Sequence, residues 1–274
     1  MPLRVSFIEF LNAVPLGWGF LEGRHAGILD VAFDVPSECA RRLAAGEADV
    51  ALIPVIECCR IPGLRVLPDI CIASRQEVKS VFFVSKLPIS RVSRLALDRS
   101  SRTSVALLKI ILERFHGCGP IEYVVEDPDP EKMLERYDGA LVIGNAALRV
   151  SGSSHRVYDL AAEWFRFTGL PFVFAVWAVR PEVTLGNRLR LFYESRDRGL
   201  RSMEDISRRY AGRLGLEVAE MRKYLLNLNY VLDGSSRRGL ATFLDLAREM
   251  GLIPPAAKLE YYPLPDSLQA AIKG

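Results

Sequence analysis

The chain alternates short apolar runs with longer stretches in which apolar residues recur at helical spacing, and the alternation persists through roughly the first 180 residues. VSFI at 5–8 precedes a helical stretch near 13–23, and DVAFDV at 30–35 precedes SECARRLAAGE. DVALIPV at 49–55, SVFFVS at 80–85 and RLALD at 94–98 follow, the last running into a helix from Thr103. IEYVV at 121–125, the helix PEKMLERY, GALVIG at 139–144 and FVFAVWAV complete the series. Strands alternating with helices predict an α/β fold, with helices covering mostly parallel sheets. From about 182 the pattern turns helical: 184–199, SMEDISRRYAGRLG, EVAEMRKYLLNLNY and SRRGLATFLDLAREMG, the last stopped by Gly251 and Pro254-Pro255.

Composition narrows the function classes. With 50% hydrophobic residues among 274, the chain can bury a large core as one domain or two lobes. Its 36 basic and 33 acidic residues are interspersed, and Arg41-Arg42, Arg208-Arg209 and Arg237-Arg238 are flanked by acids and apolar residues, so no nucleic-acid footprint follows. LPFVFAVWAV at 170–179, the longest uncharged apolar run, falls short of the roughly 20 residues of a membrane span. MPLRVSFIEFLNAVPL carries Glu9 within its apolar part and does not read as a secretory leader. Cys39, Cys58, Cys59, Cys71 and Cys118 form no C-x-x-C, and their apolar neighbours predict reduced, mostly buried thiols. These features together predict a cytoplasmic protein.

Metal and nucleotide chemistry find little support. His25, His116 and His155 lack metal-ligand spacing, no G-x-x-x-x-G-K-[ST] loop occurs, and GWGFLEG at 17–23 begins inside a predicted helix. LALDRSSRTSVALLKIILERF at 95–115 is different: a strand runs through a hydroxyl- and arginine-rich turn into an amphipathic helix. The first N–H groups of such a helix lack intrahelical partners and carry partial positive charge, so with Arg102, Thr103 and Ser104 they can bind a carboxylate or phosphate; ordinary capping by Ser101 or Thr103 is the other reading.

Other polar residues stand where strands end. Asn12 either caps the helix after the first strand or faces a ligand, and Ser37 opens the next helix beside Glu38 as a cap or a substrate contact. Ser80 begins SVFFVS, Asn145 follows GALVIG at a carboxyl edge, and Thr168 precedes a Gly169 helix stop. These groups are donors and amides rather than bases. They suit a binding protein, or an enzyme whose substrate carries its own base or that turns Glu9 inward.

VSFIEFLNAVPL at 5–16, ADVALIPVIE at 48–57, LDRSSRTSVALLKIIL at 97–112, ALVIGNAAL at 140–148, YDLAAEWFRFTGLPFVFAVW at 158–177 and NLNYVLD at 227–233 occur in this order. Together they resemble the chorismate dehydratase family of the futalosine route to menaquinone. The resemblance implies a type II periplasmic-binding-protein-like fold of two α/β lobes with the substrate cleft between them and a helical C-terminal region. Lobe 1 is expected over 1–88 and 179–274, and lobe 2 is expected as an insertion over 89–178.

The resemblance also implies conversion of the dicarboxylate chorismate to 3-(1-carboxyvinyloxy)benzoate and water, with no metal and no cofactor. The substrate's enolpyruvyl carboxylate would remove the ring proton, and the C4 hydroxyl would leave. Asn12 and Ser80 match residues regarded as active-site residues in the family, and the SRTS turn matches the segment that would hold a substrate carboxylate. Asn145 stands where the family commonly has Asp, and Ala161 replaces a frequent glycine. A non-catalytic cytoplasmic binding or sensor protein for a small carboxylate is the alternative.

Overall fold

The computed structural model describes residues 1–23, 25–148, 150 and 155–265. Residues 266–274 of the expected first lobe therefore lie outside the described residues. The chain begins with β1 (Leu3–Ile8), α1 (Val14–Leu21), β2 (Leu29–Asp34), α2 (Pro36–Ala44), β3 (Val50–Pro54) and β4 (Arg65–Ser74). It then forms β5 (Val81–Ser85), β6 (Arg94–Asp98), α3 (Thr103–Ile110), β7 (Glu122–Glu126), α4 (Pro130–Arg136), β8 (Gly139–Ile143), α5 (Gly144–Ala147), β9 (Arg156–Asp159) and α6 (Leu160–Thr168). After β10 (Phe172–Val179) come α7 (Leu189–Arg201), α8 (Met203–Leu214), α9 (Val218–Asn227), β11 (Leu228–Asn229), α10 (Gly234–Glu249) and β12 (Glu260–Tyr261).

Two sheets organise these elements. The first has the order β11-β4-β10-β3-β1-β2, with β12 also on β4; the second has the order β7-β6-β8-β5-β9. Strands β3, β8 and β10 are buried along their whole length, as expected for apolar runs covered on both faces. Pairing is more mixed than the mostly parallel arrangement expected. Among the described residues β1–β2, β1–β3, β4–β12, β6–β7 and β6–β8 are parallel, whereas β3–β10, β4–β10, β4–β11, β5–β8 and β5–β9 are antiparallel. Four of the five antiparallel pairs involve β5 or β10, the strands that follow a crossing between the sheets, a feature that strand hydrophobicity does not encode.

The expected lobe boundaries shift for the same reason. β5 lies between β8 and β9 in the second sheet, and β10 lies between β3 and β4 in the first. The crossings therefore fall at 75–80 and 169–171 rather than at 88/89 and 178/179. VFFVS and FVFAVWAV are apolar enough for either sheet, and only their hydrogen-bonded register assigns them. The C-terminal helices close the first lobe over an aromatic cluster in which the Trp177 and Phe192 ring centroids are 4.9 Å apart at 74°, a favourable edge-to-face packing. Tyr262 is buried and its hydroxyl accepts the Leu185 N–H at 2.8 Å, whereas Tyr261 is exposed.

Candidate active site

A cleft between the lobes, enclosing about 440 Å3 of empty space partly open to solvent, is lined by strand ends from both sheets. Phe10 and Asn12 follow β1, Pro54 ends β3, and Phe174 and Ala175 belong to β10. The second lobe contributes Ser101, Arg102, Thr103, Ser104, Ile143 and Gly144. Contacts across the cleft hold the lobes together: the Ser37 N–H donates to the Ser100 carbonyl at 3.1 Å, and the Ile56 N–H to Thr103 Oγ1 at 3.4 Å.

The turn entering α3 is built on Asp98. Its Oδ1 accepts the Ser100 N–H at 2.9 Å and the Ser100 hydroxyl at 2.6 Å, while its carbonyl accepts the Ser101 N–H at 3.0 Å. Arg102 is the N-cap, and no side chain caps α3. The capping reading for Ser101 and Thr103 is thereby excluded, and the first N–H groups of the helix remain available at the cleft. Arg102 is exposed and forms no ion pair among the described residues. A free guanidinium beside an uncapped helix N-terminus, which carries roughly half an elementary positive charge, is suited to a carboxylate. Burial raises the Asp98 carboxyl above its ordinary range, against the opposing effect of the Ser100 hydrogen bonds.

Asn12 sits opposite this turn. It lies within the 3-10 turn Leu11–Ala13, and α1 starts at Val14 with no side-chain cap. Its Oδ1 is buried and accepts no hydrogen bond. Capping is thus excluded for Asn12 too, and a buried carbonyl oxygen without a donor is costly unless a ligand supplies one.

Asn145 reaches the same turn from the other lobe, its Oδ1 accepting the Leu11 N–H at 3.3 Å. The close approach depends on Gly144, which has φ +62° and lies beneath Phe10; a Cβ there would come within 2.7 Å of the ring.

The remaining candidates lie elsewhere. Ser80 is fully buried behind the wall rather than on the cleft surface; its Oγ accepts the Tyr224 hydroxyl at 2.9 Å and its carbonyl accepts the Gly144 N–H at 2.9 Å. Thr168 ends α6, donating back to the Trp164 carbonyl at 2.8 Å and accepting the Leu170 N–H at 3.2 Å, so its hydroxyl completes a helix terminus. Ser37 follows Pro36 at the start of α2, where Val35 is the N-cap, and borders a second, more open concavity that Arg102 also lines. Sequence reading missed Phe10, Asp98, Gly144 and Tyr224. The Gly after a buried strand and the Asp before a hydroxyl-rich turn were the available signals for two of them.

Residues 3–249 match the family model described as menaquinone biosynthesis. A chorismate dehydratase of Thermus thermophilus is 35% identical over 267 residues, covering 89% of this chain and 94% of that protein. The chain belongs to the chorismate dehydratase family of menaquinone biosynthesis. The family assignment brings with it an enzymatic, lyase-type role.

The fold is that of the periplasmic binding proteins. An Archaeoglobus fulgidus protein superposes with a TM-score of 0.76 at 19% identity, covering 92% of this chain and 98% of that one. The periplasmic aliphatic sulphonate binding protein of Escherichia coli gives a TM-score of 0.62 at 15% identity, with 97% of each chain covered. The cytoplasmic placement read from the sequence is corrected here. The same fold serves periplasmic proteins, so buried thiols and an atypical N-terminal stretch do not fix the compartment. Among the described residues no helix is long and apolar enough to cross a membrane.

Proposed function

We propose that this member of the family dehydrates chorismate to 3-(1-carboxyvinyloxy)benzoate, with Asn12 and the α3 N-terminus as the working groups. The observation that carries the reading is the buried, unpartnered Oδ1 of Asn12, a residue lining a cleft that also holds an unpaired Arg102 and an uncapped helix start. Chorismate with both carboxylates ionised offers one hydrogen-bond donor, its C4 hydroxyl. That hydroxyl is the natural partner of Asn12 Oδ1, while the ring carboxylate suits Arg102 and the N–H groups at Thr103 and Ser104.

Among the described residues the cleft lining holds no carboxylate or histidine, and the substrate's enolpyruvyl carboxylate takes the C3 proton. The electron pair of the broken C–H bond is delocalised through the conjugated ring toward the ring carboxylate, where the positive end of α3 stabilises the accumulating charge. The C4–O bond then breaks, the ring becomes aromatic, and the departing oxygen receives the proton held by the enolpyruvyl carboxyl and leaves as water. Closure around the cleft holds the flexible carboxylate over the proton it removes. Ser80 acts as a positioning residue behind the wall, through its carbonyl bond to Gly144.

Incubation of metal-stripped protein with chorismate, followed by mass spectrometry, tests this reading. A product lighter by one water supports it; saturable binding with chorismate unchanged favours the carboxylate sensor.

A further inference from the structure

Asn145 was expected to touch substrate, yet its side chain is engaged with the protein across the cleft. The amide oxygen accepts the N–H of Leu11, the residue directly before Asn12, at 3.3 Å. Leu11 is buried and opens a 3-10 turn whose N-cap, Phe10, provides no side-chain acceptor. Its N–H is one of the orphan donors of a helix start, and the acceptor comes from α5 in the other lobe. Donor and acceptor thus belong to different lobes.

We propose that Asn145 is a positioning residue that couples lobe closure to the placement of Asn12, by satisfying the Leu11 N–H only when the lobes meet. The inference rests on the dehydratase reading for its kinetic consequences. Gly144 is part of the device, because only a residue without a Cβ lets Phe10 settle on α5 and bring the Asn145 amide to Leu11. An aspartate at 145 offers Leu11 the same acceptor but adds a negative charge beside a cleft that takes a dianion. Asparagine keeps the latch and omits the repulsion.

The test compares wild type with Asn145→Ala and Asn145→Asp on the full chain, by steady-state kinetics with chorismate and by amide hydrogen exchange at Leu11. Loss of the acceptor in Asn145→Ala should lower kcat about tenfold with KM changed less than about twofold. Asn145→Asp should recover most of kcat while raising KM several-fold. Leu11 exchange should accelerate about tenfold in Asn145→Ala and return toward wild type in Asn145→Asp. A rise in KM alone for Asn145→Ala would make Asn145 a direct substrate ligand and overturn the inference. So would Leu11 protection unchanged by Asn145→Ala. Absence of turnover in wild type would remove the dehydratase reading, and the exchange comparison would still decide the latch.

Discussion

The hydroxyl of Tyr224 donates to Oγ of Ser80 at 2.9 Å, with both side chains buried. The bond joins the C-terminal helices to the crossing between the two sheets, and Asn227 Nδ2 reinforces it by donating to the Glu77 carbonyl at 2.6 Å. Burial pushes the Tyr224 phenol upward, so it serves as a neutral donor over any ordinary pH. The helical region that follows β10 thus braces the wall behind the cleft.

Tyr224→Phe should lower unfolding stability by about 1–2 kcal/mol in denaturant titrations, because the Ser80 oxygen loses its donor inside the protein. Ser80→Ala leaves the Tyr224 hydroxyl without an acceptor and should cost about 1–3 kcal/mol. A turnover defect in Ser80→Ala much greater than its stability loss accounts for would return Ser80 to direct contact with substrate.

Arg102→Gln should weaken chorismate binding about 10–150-fold, the range for losing a charge-assisted contact of about 1.5–3 kcal/mol. Because Arg102 pairs with no protein acid among the described residues, its loss should leave thermal stability nearly unchanged. Calorimetric titration and a melting curve on the same sample check both halves.

Gly144→Ala should resist closure. The substitution places a methyl group against Phe10 at a positive φ, so the lobes must part or the backbone must rearrange. Small-angle scattering should show a larger radius than wild type, with kcat reduced in parallel. An unchanged radius would show that Phe10 moves aside instead.

The buried carboxyls set a pH signature. Burial holds both Asp98 and Asp159 above the ordinary aspartate value of 3.8, against the hydrogen bonds that each accepts. The folded state therefore binds these protons more tightly than the unfolded chain. That contribution to stability is fully present below 3.8 and is lost as pH rises through the raised folded values. Asp98→Asn removes one such group, so its stability relative to wild type should improve between pH about 4 and 7. Denaturant titrations at the two pH values check the sign, and a relative decline would contradict it.

Much of the framework was legible because its elements are locally determined. RLALD forms β6 over the predicted residues and the next helix begins at Thr103, since an apolar β-favouring run meets a turn and then helical periodicity. β4 was missed. Pro68 and Asp69 interrupt its sequence, Asp69 adopts φ +58°, and the strand survives through register shifts against β10.

At the site, the turn proposed to hold a carboxylate was visible because a strand, a hydroxyl-rich turn and a helix start follow one another in sequence, whereas the bonds made by single hydroxyls were not. Thr168 and Ser80 look alike in sequence to ligand-facing residues, yet a carbonyl one turn back satisfies the first and a tyrosine from a distant helix holds the second. Asn145 was noticed for its identity, but its partner 134 positions away depends on how the lobes meet.

The most direct measurement is proton NMR of chorismate incubated with wild type and with Asn12→Ala, at concentrations that saturate each. Wild type should yield the spectrum of a meta-substituted aromatic ring, and Asn12→Ala should bind chorismate within a few-fold of wild type while converting it at least about 100-fold more slowly. No aromatic product from wild type, or an Asn12→Ala variant whose binding falls as far as its turnover, would contradict the account.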